Sequence, residues 1–585
     1  TILNLIQTMK ESILVDVIIN LPVRKIYTYK VEKKISIGTI IIVPFGYNNE
    51  EVYAITITDT YKKRQNFPIK NAISISSSNS LFSASQIRFL KWASQYYLVP
   101  LPKIINSIIP NKIFEIKKGS KEILIKNKQV IKDLKPRLNL ERSDKYLQLL
   151  VNNIKPYKDK DSVVLILTPN LYKSFEFKDF LEKKYGKICL LYNSKLSNNE
   201  KKRAWSKVIK EKKLIIIGVK SAIFLPFKSL DKILILDEND HLYKENDRVL
   251  RYNARDCSIM LSKIHNCKIE LISDSPSIES IHNVKSKKYN LINYIDQNNL
   301  KPKLKNITVI NSIEKKIKKK IQGIISDELL EIIENYINEN KRIVIITPYI
   351  SDIENIKDQL IIKNQYLKIK SVTKYDFESK KRIYTTIKDL KNKNLIIGNH
   401  SLFNNLTSVN TEIIILLDPD KISRKTSFKS NEAYFQIIYK AVQIISTNQG
   451  KKLIIQLKEV NNKTLKYGIY LDYKGFIKGE MIERKTFQYS PYYKVIKIEI
   501  AEKNNKKLDE IGNSIFKKLN FKFKNIIISN SGLKNKGERL FYEIIFKINN
   551  NKDLSKNKKS IFEELEQITK KSQLSNYLFT IDVDP

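Results

Sequence analysis

The stretch IGVKSAIFLPFKSLDKILILDENDHLYKENDRVLRYNARD, residues 217–256, decides the fold of this chain. At its centre an apolar run, Ile233 to Leu236, ends in Asp237 and Glu238. A short, continuous apolar run is typical of a buried parallel strand. An acidic pair at the carboxyl end of such a strand is where nucleotide-hydrolysing folds hold Mg²⁺ and polarise a water. The stretch therefore predicts an α/β sheet and suggests a nucleotide-driven enzyme.

The region upstream lacks the phosphate-binding loop that such a site needs. No glycine occurs between Gly119 and Gly186. Phosphate loops use glycines because backbone N–H groups must approach the phosphates without interference from Cβ atoms. Two interpretations of Asp237 and Glu238 stay open. They bind Mg²⁺ with a nucleotide, or they form a retained strand-end turn whose carboxylates cap or pair locally.

The charge of the chain favours a polyanionic partner. Its 106 lysine and arginine residues exceed its 61 aspartate and glutamate residues, which gives a formal net charge of +45 and a pI near 9.7. Such an excess favours nucleic-acid binding. A second interpretation is biased genome composition, because lysine is abundant while only 14 residues are glycine. At 585 residues the chain is long enough for three or four domains.

Cysteine, histidine and apolar patterns exclude several classes of protein. The three cysteines and four histidines show no spacing typical of a disulfide framework or a structural zinc site, so we expect no zinc and a reduced compartment. No apolar run approaches about 18 residues, and the first ten residues lack a signal-peptide pattern. We therefore expect a soluble, cytoplasmic protein that does not enter a membrane.

Residues 1–110 predict a small β-rich domain. Short segments bounded by glycine, proline and asparagine are typical of strands, and a helical pattern follows over residues 86–97. The predicted strands are Leu14–Asn20, Lys25–Val31, Gly38–Val43 and Val52–Thr58. Residues 111–140 are short and basic, which predicts a linker.

Two series of apolar runs predict two doubly wound α/β lobes, because continuous runs separated by charged segments of helical length indicate parallel sheets covered on both faces. The first lobe, residues 141–300, has predicted strands at Val163–Leu167, Ile188–Tyr192, Leu214–Ile217, Ile233–Leu236 and Ile269–Ile272. The second, residues 301–480, has them at Arg342–Ile346, Asn394–Ile397, Ile413–Leu417 and Leu453–Leu457. Residues 481–585 predict a smaller α/β domain with strands at Lys494–Ile500, Lys524–Ile528 and Phe541–Ile548.

Nine short motifs occur in an order that resembles one family. They are LPV (21–23), VPFG (43–46), WASQYY (92–97), IGVKSAIFLPF (217–227), LDEND (236–240), YKEND (243–247), RYNARD (251–256), SDSPSIES (273–280) and IDVDP (581–585). In this order they resemble the primosomal protein N′ family, the replication-restart DNA helicases of bacteria. The resemblance spans the whole chain, and the RYNARD segment is its most distinctive element.

The family resemblance implies a fold and an activity. The implied fold is an amino-terminal domain that captures DNA 3′ ends, two tandem RecA-like helicase lobes of superfamily 2, and a carboxyl-terminal α/β domain. The implied activity is unwinding of forked DNA with ATP and Mg²⁺, and loading of the replicative helicase through other primosome proteins. The implied location is the nucleoid in the bacterial cytoplasm.

Three departures from the family bear on that activity. The family's glycine-rich phosphate loop corresponds to RLNLERSDKYLQ, residues 137–148, where Arg142 or Lys145 could supply charge but not the loop. The lobe 2 arginines that would stabilise the transferring phosphoryl group correspond to Ile444 and Thr447. The cysteine-rich zinc insertion is missing, and the stretch before lobe 1 is too short for the family's winged-helix domain. We therefore expect that ATP hydrolysis and unwinding are lost.

In lobe 1 the sequence offers four candidate DNA contacts. Lys220 and Ser221 follow a strand at the place where helicase lobes contact the phosphodiester backbone. Arg251 and Arg255 fit either of two roles. They form a DNA-facing surface near the cleft, or they brace the helix behind the acidic strand end.

Two further elements outside lobe 1 have candidate roles. Tyr27 and Tyr29 stack on a terminal base, or they pack against their neighbours, as aromatics alternating along a strand often do. Thr28 stands where the family often has an aspartate that reads the 3′-terminal nucleotide. ERKTFQYSPYY, residues 483–493, resembles a family element that joins lobe 2 to the carboxyl-terminal domain, which predicts an architectural role.

Three hypotheses of function follow. The leading one is a reduced primosomal protein N′ that binds forked or single-stranded DNA and recruits the replicative helicase and other primosome components without hydrolysing ATP. The alternative is an active ATP-dependent 3′-to-5′ DNA helicase with an atypical phosphate site, in which Asp237 and Glu238 are catalytic. The third is a decaying gene product held together only by its cores. Salt-dependent fork binding separates the first hypothesis from the third.

Overall fold

The structure, a computed structural model, describes most of the chain. The described residues are 13–58, 68–75, 80–110, 113–115, 134–246, 250–292, 302–312, 323–364, 367–373, 376, 382, 385–386, 389, 393–399, 402, 411–424, 427–447, 450–502, 507–536, 539–569 and 577–585. Four sheets organise these residues, one for each predicted folded domain. The first ten residues and most of the predicted linker lie outside the described residues.

The amino-terminal domain is an antiparallel sheet closed by two helices. Its strands are β1 (Ile13–Ile19), β2 (Tyr27–Val31), β3 (Ile40–Phe45), β4 (Glu50–Thr56) and β5 (Ser74–Ile75), in the order β2-β1-β4-β3-β5. Its helices are α1 (Ala84–Tyr97) and α2 (Leu101–Ile108). Ser83 caps α1 by accepting from the Gln86 N–H, and its hydroxyl donates to Phe227 O of the next domain at 2.7 Å. The predicted strands and helix are confirmed.

Lobe 1 is a seven-stranded parallel sheet in the order β12-β6-β11-β10-β7-β9-β8. Its strands are β6 (Arg137–Leu140), β7 (Val163–Leu167), β8 (Cys189–Tyr192), β9 (Leu214–Gly218), β10 (Lys232–Leu236), β11 (Lys268–Ser273) and β12 (Asn290–Ile292). Its helices are α3 (Tyr146–Ile154), α4 (Leu171–Tyr185), α5 (Asn198–Lys210), α6 (Ala254–His265) and α7 (Ile278–Lys285). Alternate residues of β7 and β10 are buried in two separate cores, one on each face. The predicted end of the linker at residue 140 is wrong, because β6 pairs with β11 and β12.

Lobe 2 repeats this architecture with six parallel strands in the order β13-β18-β17-β14-β16-β15. Its strands are β13 (Ile307–Asn311), β14 (Ile343–Ile346), β15 (Ile369–Val372), β16 (Leu395–Gly398), β17 (Ile413–Leu417) and β18 (Lys452–Leu457). Its helices include α8 (Asp327–Asn338), α9 (Asp352–Lys363), α10 (Ser430–Thr447), α11 (Lys463–Ile469) and α12 (Tyr473–Thr486). The two tandem doubly wound lobes are therefore confirmed.

The carboxyl-terminal domain is a four-stranded antiparallel sheet in the order β20-β21-β19-β22. Along the chain its elements are β19 (Tyr493–Glu502), α13 (Leu508–Lys522), β20 (Ile527–Lys536), β21 (Arg539–Asn549), α14 (Leu554–Thr569) and β22 (Tyr577–Val583). This is the β-α-β-β-α-β arrangement of two interleaved split units. The strand predicted at Lys524–Ile528 is wrong in position. α13 ends at Lys522, the turn after it extends to residue 526, and β20 begins at Ile527.

The carboxyl ends of the lobe 1 strands lie against lobe 2. β10 ends at Leu236, and Asp237 follows with a φ of +50° in the left-handed region. The Ile278 N–H, at the start of α7, donates to Glu432 Oε1 of α10 at 3.0 Å. The edge of the sheet that carries the acidic pair is therefore covered by the second lobe.

Candidate functional site

Asp237, the first predicted catalytic residue, is buried and engaged by side chains of the chain itself. The Tyr146 hydroxyl donates to Oδ1 at 2.9 Å, and Lys173 Nζ donates to Oδ2 at 2.7 Å. Burial acts to raise the pKa of Asp237, but the charges of Lys173 and Lys440 and the two hydrogen bonds outweigh it and lower that pKa to about 2. Asp237 therefore stays ionised, and partners take both of the oxygens that would bind Mg²⁺.

Two local features of lobe 1 bring these partners to Asp237. β6 ends at Leu140 and α3 begins at Tyr146, so five residues connect them, whereas a glycine-rich phosphate loop takes about eight. This short connection places Tyr146, the first residue of α3, beside the carboxylate. Lys173 lies in the first turn of α4, and its ammonium is also 5.6 Å from the centroid of the Tyr146 ring.

The cations that the sequence offered in place of the phosphate loop pair with their own neighbours. Arg142 Nη2 lies 2.6 Å from Asp144 Oδ2. Lys145 Nζ lies 4.0 Å from Glu141 Oε1. Both pairs are open to solvent, so each contributes little to stability.

Glu238, the second predicted catalytic residue, anchors the start of α7. Its Oε1 accepts from the Ser277 N–H at 2.7 Å. Its Oε2 accepts from Arg255 Nη1 at 3.1 Å and from the hydroxyls of Ser277 and Ser280 at 3.1 and 3.0 Å. The carboxylate is inaccessible to solvent. It therefore acts as a buried cap, which matches the structural interpretation of the acidic pair.

Arg251 and Arg255 are held inside the protein. Arg255 pairs with Glu238, and Arg251 Nη2 lies 2.9 Å from Glu499 Oε2 while its Nη1 lies 3.6 Å from Asp582 Oδ2. The last two carboxylates belong to the carboxyl-terminal sheet. The prediction of a DNA-facing surface does not fit this placement, because buried ion pairs occupy both guanidinium groups. The alternative of a structural brace fits it.

Lys220 and Ser221 differ in accessibility. Lys220 keeps 28% of its side chain exposed, donates to Lys244 O at 3.1 Å and lies 3.5 Å from Glu245 Oε2. The Ser221 hydroxyl is buried, and it has no hydrogen-bond partner in the described part of the chain. A phosphate contact by Lys220 stays a prediction. A contact by Ser221 would first require its hydroxyl to become accessible.

Lobe 2 contributes a lysine to the acidic edge of lobe 1. Ile444 and Thr447, which replace the family's arginines, lie in the last two turns of α10, and the Thr447 hydroxyl donates to carbonyls of that helix. Lys440, on the same helix, lowers the pKa of Asp237 and opposes the burial that raises the pKa of Asp274. The space between the lobes is thus occupied by charges of the chain. The name filled cleft is used below for Tyr146, Lys173, Asp237 and Lys440.

Arg484 joins the two lobes through three carboxylates. Its guanidinium, 2% exposed, lies 2.7 Å from Glu432, 2.9 Å from Glu480 and 3.3 Å from Glu279. Glu279 belongs to α7 of lobe 1, and the other two belong to α10 and α12 of lobe 2. Removing one member of such a buried group leaves charges uncompensated. Arg484 therefore constrains the lobes in their present arrangement.

Tyr27 and Tyr29, the predicted stacking residues of the amino-terminal domain, also differ in accessibility. Tyr29 is buried and its hydroxyl donates to Pro44 O at 3.0 Å, so its placement fits packing and does not fit base stacking. Tyr27 is half-buried, and its ring centroid lies 5.2 Å from that of Phe45 at 81°. The Thr28 hydroxyl donates to a carboxylate of β1 at 2.7 Å.

The turn between β3 and β4 carries candidates that the sequence analysis missed. Tyr47 lies in this turn with its side chain fully exposed. Lys70 Nζ donates to Gly46 O at 3.2 Å, which brings an ammonium to the same turn. A signal was present, because Tyr47 stands between Gly46 and two asparagines, which indicates a turn, and turns lie at the surface. The name hairpin patch is used below for Tyr27, Phe45, Tyr47 and Lys70.

The described ranges of the chain offer neither a candidate metal group nor a candidate membrane span. They contain no group of three or more histidine, cysteine, aspartate or glutamate side chains that could hold a metal ion. The cysteines are free and buried. None of the helices in those ranges combines the length and apolar character needed to cross a membrane.

Two solved structures similar to the chain contain proteins bound to RNA. Dbp5 of S. cerevisiae, bound to RNA and ADP BeF3, shares 10% identity with a TM-score of 0.37, covering 69% of this chain and 97% of that one. Mss116p bound to ssRNA and AMP-PNP shares 13% identity with a TM-score of 0.39, covering 68% and 79%. Both TM-scores are below 0.5.

The amino-acid sequence is similar to one family model and to several curated proteins that share a name. Residues 16–110 match the family described as 3'DNA-binding domain (3'BD). Replication restart protein PriA of Rickettsia felis is 23% identical over 82% of this chain and 86% of its own length. The protein of that name from Rickettsia conorii is 27% identical over 56% of this chain. The match covers 52% of that relative, so this chain spans about half of its length. The resemblance to primosomal protein N′ is thereby confirmed, and the chain is similar to replication restart protein PriA.

Proposed function

We propose that this chain binds forked or single-stranded DNA in the restart of DNA replication and does so without hydrolysing ATP. Two likenesses support DNA as the partner. They are the match of residues 16–110 to a 3'DNA-binding domain and the name replication restart protein PriA that its relatives carry. The formal net charge of +45 fits binding that is dominated by phosphate contacts.

The hairpin patch is the proposed contact for a DNA end. Tyr47 presents a fully exposed ring, and base stacking on an aromatic ring is tolerant of sequence. Lys70 supplies an ammonium for the adjoining phosphate. Gly46 has a φ of +75°, and a Cβ placed on it would meet no atom within 4 Å, so the surface of the turn is open to a ligand.

One observation supports the proposal that ATP hydrolysis is lost. Tyr146 and Lys173 each donate a hydrogen bond to one carboxylate oxygen of Asp237, so both oxygens have a partner from the chain. For Mg²⁺ and a nucleotide to bind, Lys173 would have to leave the carboxylate. The Lys173 side chain is only 6% exposed. If Lys173 lost its contact with Asp237, its ammonium group would be a buried charge with no counter-charge. Breaking a buried pair costs about 3–5 kcal/mol, and the cleft offers no glycine-rich loop to recover that cost.

The buried ion pairs of Arg484 support the proposal that the chain does not unwind DNA. Motors with two domains work by closing and opening around their ligand. Glu279 of lobe 1 and Glu432 of lobe 2 share the Arg484 guanidinium, so opening the lobes would expose or separate buried charges. The lobes are therefore proposed to act as one rigid support.

Recruitment of partners is the last part of the proposal. A chain held at a DNA fork, with a rigid pair of lobes, can present its surface to the replicative helicase and to other primosome proteins. The family resemblance supports this role.

Fork binding tests the proposal directly. Fluorescence anisotropy with a labelled fork that has a free 3′ end should show binding that weakens steeply between about 50 and 200 mM salt. Tyr47→Ala should weaken it by about 1–3 kcal/mol through lost stacking. Tyr470, 59% exposed on lobe 2, provides the matched control, and Tyr470→Ala should bind as the wild type does. Equal binding of forks and plain duplex, or equal effects of the two substitutions, would contradict the proposal.

A further inference from the structure

A small crevice lies between lobe 2 and the segment that leads into the carboxyl-terminal domain. Its volume is about 150 Å³, and the residues that line it include Ser427, Phe428, Asn431, Glu480, Phe487 and Tyr489. Sites for drug-sized ligands measure about 300–1,000 Å³. The crevice therefore suits a single ring system better than a complete nucleotide cofactor.

The walls of the crevice are aromatic. The rings of Phe428 and Tyr489 are stacked, with centroids 4.9 Å apart and planes 10° apart. Phe487 stands at the rim with 62% of its side chain exposed. An exposed ring beside a narrow, aromatic-walled opening is suited to stacking on a planar group, as in proteins that bind single-stranded nucleic acids.

Two lysines lie close to the aromatic rings of the crevice. Lys547 Nζ lies 3.9 Å from the centroid of the Tyr489 ring and donates to Phe487 O at 2.8 Å. Lys429 Nζ lies 5.2 Å from the centroid of the Phe428 ring. Ammonium groups held at aromatic rings can contact the phosphates on either side of a base that stacks there.

Glu480 and Glu483 both line the crevice, and Glu480 is the buried one of the two. Glu480 is 6% exposed, and its Oε1 accepts from Arg484 Nε at 2.9 Å; Oε2 has no recorded partner in the described part of the chain. Burial, opposed by the charge of Arg484, raises the pKa of Glu480 to about 7. A carboxyl group of this kind can accept from a base amino group or, when protonated, donate to a ring nitrogen.

We propose that this crevice binds one unstacked base of single-stranded DNA. Phe487 stacks on the base, Glu480 hydrogen-bonds its edge, and Lys547 contacts the adjoining phosphate. This inference rests on the proposed function, since it adds to the hairpin patch a second place where the same DNA is held.

A matched pair of variants tests the crevice. Phe521 of α13 is also an exposed phenylalanine, 78% exposed, with Lys524 Nζ 5.6 Å from its ring centroid, but it lies outside the crevice. Anisotropy with labelled oligo-dT on the full chain should show about 5- to 100-fold weaker binding for Phe487→Ala and an unchanged value for Phe521→Ala. Both side chains are at the surface, so neither substitution should prevent folding.

A second readout reports stacking itself. An oligo-dT that carries one 2-aminopurine should lose fluorescence on binding to the wild type and to Phe521→Ala, and should lose clearly less on Phe487→Ala. If wild-type chain binds oligo-dT while Phe487→Ala behaves as Phe521→Ala does in both assays, the crevice is not a base site, although the proposed function stands. If wild-type chain binds neither oligo-dT nor forks, both proposals fail.

Discussion

The filled cleft and the hairpin patch both place polar and aromatic side chains at the ends of strands, yet they use them in opposite ways. In the filled cleft, Asp237 is 5% exposed and each of its oxygens has a partner from the chain. In the hairpin patch, Tyr47 is fully exposed, and the recorded contacts of Lys70 are neutral oxygens. The cleft satisfies its groups internally, whereas the patch leaves a ring and a charge for a ligand.

The difference shows that the carboxylates of a sequence motif can serve the fold itself. LDEND, residues 236–240, keeps the acidic pair of a nucleotide site, but Glu238 now caps α7 and Asp237 neutralises Lys173. Buried, fully paired carboxylates stabilise a fold, and exposed aromatics next to a cation bind partners.

The largest effect is expected at Arg484. Arg484→Met should lower the free energy of unfolding by about 3–5 kcal/mol, because three buried carboxylates lose their counter-charge. Arg142→Met removes a solvent-open pair with Asp144 and should cost no more than about 1 kcal/mol. Urea unfolding followed by circular dichroism measures both. Equal losses for the two variants would show that the lobes are not joined through Arg484.

The pair of Asp237 and Lys173 should behave as a buried ion pair and not as an active site. Asp237→Asn and Lys173→Met should each destabilise the chain by about 3 kcal/mol, and the double variant should lose much less than the sum. Replacing a catalytic group often raises the stability of a protein, because the substitution relieves strain at the active site. A stabilised Asp237→Asn variant would therefore contradict the structural role.

DNA affinity should separate the two regions. Tyr47→Ala should weaken fork binding by about 1–3 kcal/mol with little change in stability, since its side chain is fully exposed. Asp237→Asn, measured at a temperature where it stays folded, should leave fork affinity within about a factor of two, because the carboxylate is buried. Anisotropy and urea unfolding on the same preparations measure both quantities. Loss of fork binding in Asp237→Asn would tie the cleft to DNA.

The smallest effect is the pH dependence of the Asp237 contribution. Its folded pKa of about 2 lies below the ordinary 3.8, so ionisation stabilises the fold, fully above pH 3.8 and less as the pH falls towards 2. The stability difference between wild type and Asp237→Asn should therefore be constant from about pH 7 to 4 and should shrink below that range. A difference that shrinks already between pH 7 and 5 would mean that Asp237 is not held ionised by Lys173.

The sheets could be predicted from the sequence because their strands are continuous apolar runs. Val163–Leu167 and Ile413–Leu417 were predicted with their observed bounds. β6 was missed because RLNL alternates polar and apolar residues and borders a basic segment. β15, IKSV, has the same weakness. Strands of only four residues carry too few apolar residues to give a signal.

The filled cleft could be predicted only in part. The missing glycines and the replaced arginines indicated that the phosphate chemistry had changed, but nothing in the sequence indicated what would take its place. Tyr146, Lys173 and Lys440 come from three separate helices. Tyr146 and Lys173 meet within lobe 1, and Lys440 joins them only when the lobes pack. The ERK segment that contains Arg484 was assigned an architectural role, and its contacts across the lobes agree with that role.

ATP hydrolysis and fork binding should be measured on the same preparation, with and without Mg²⁺-ATP. The filled cleft predicts salt-dependent fork binding that ATP leaves unchanged, and no hydrolysis that fork DNA stimulates. Hydrolysis that rises with fork DNA and disappears in Asp237→Ala would contradict the account.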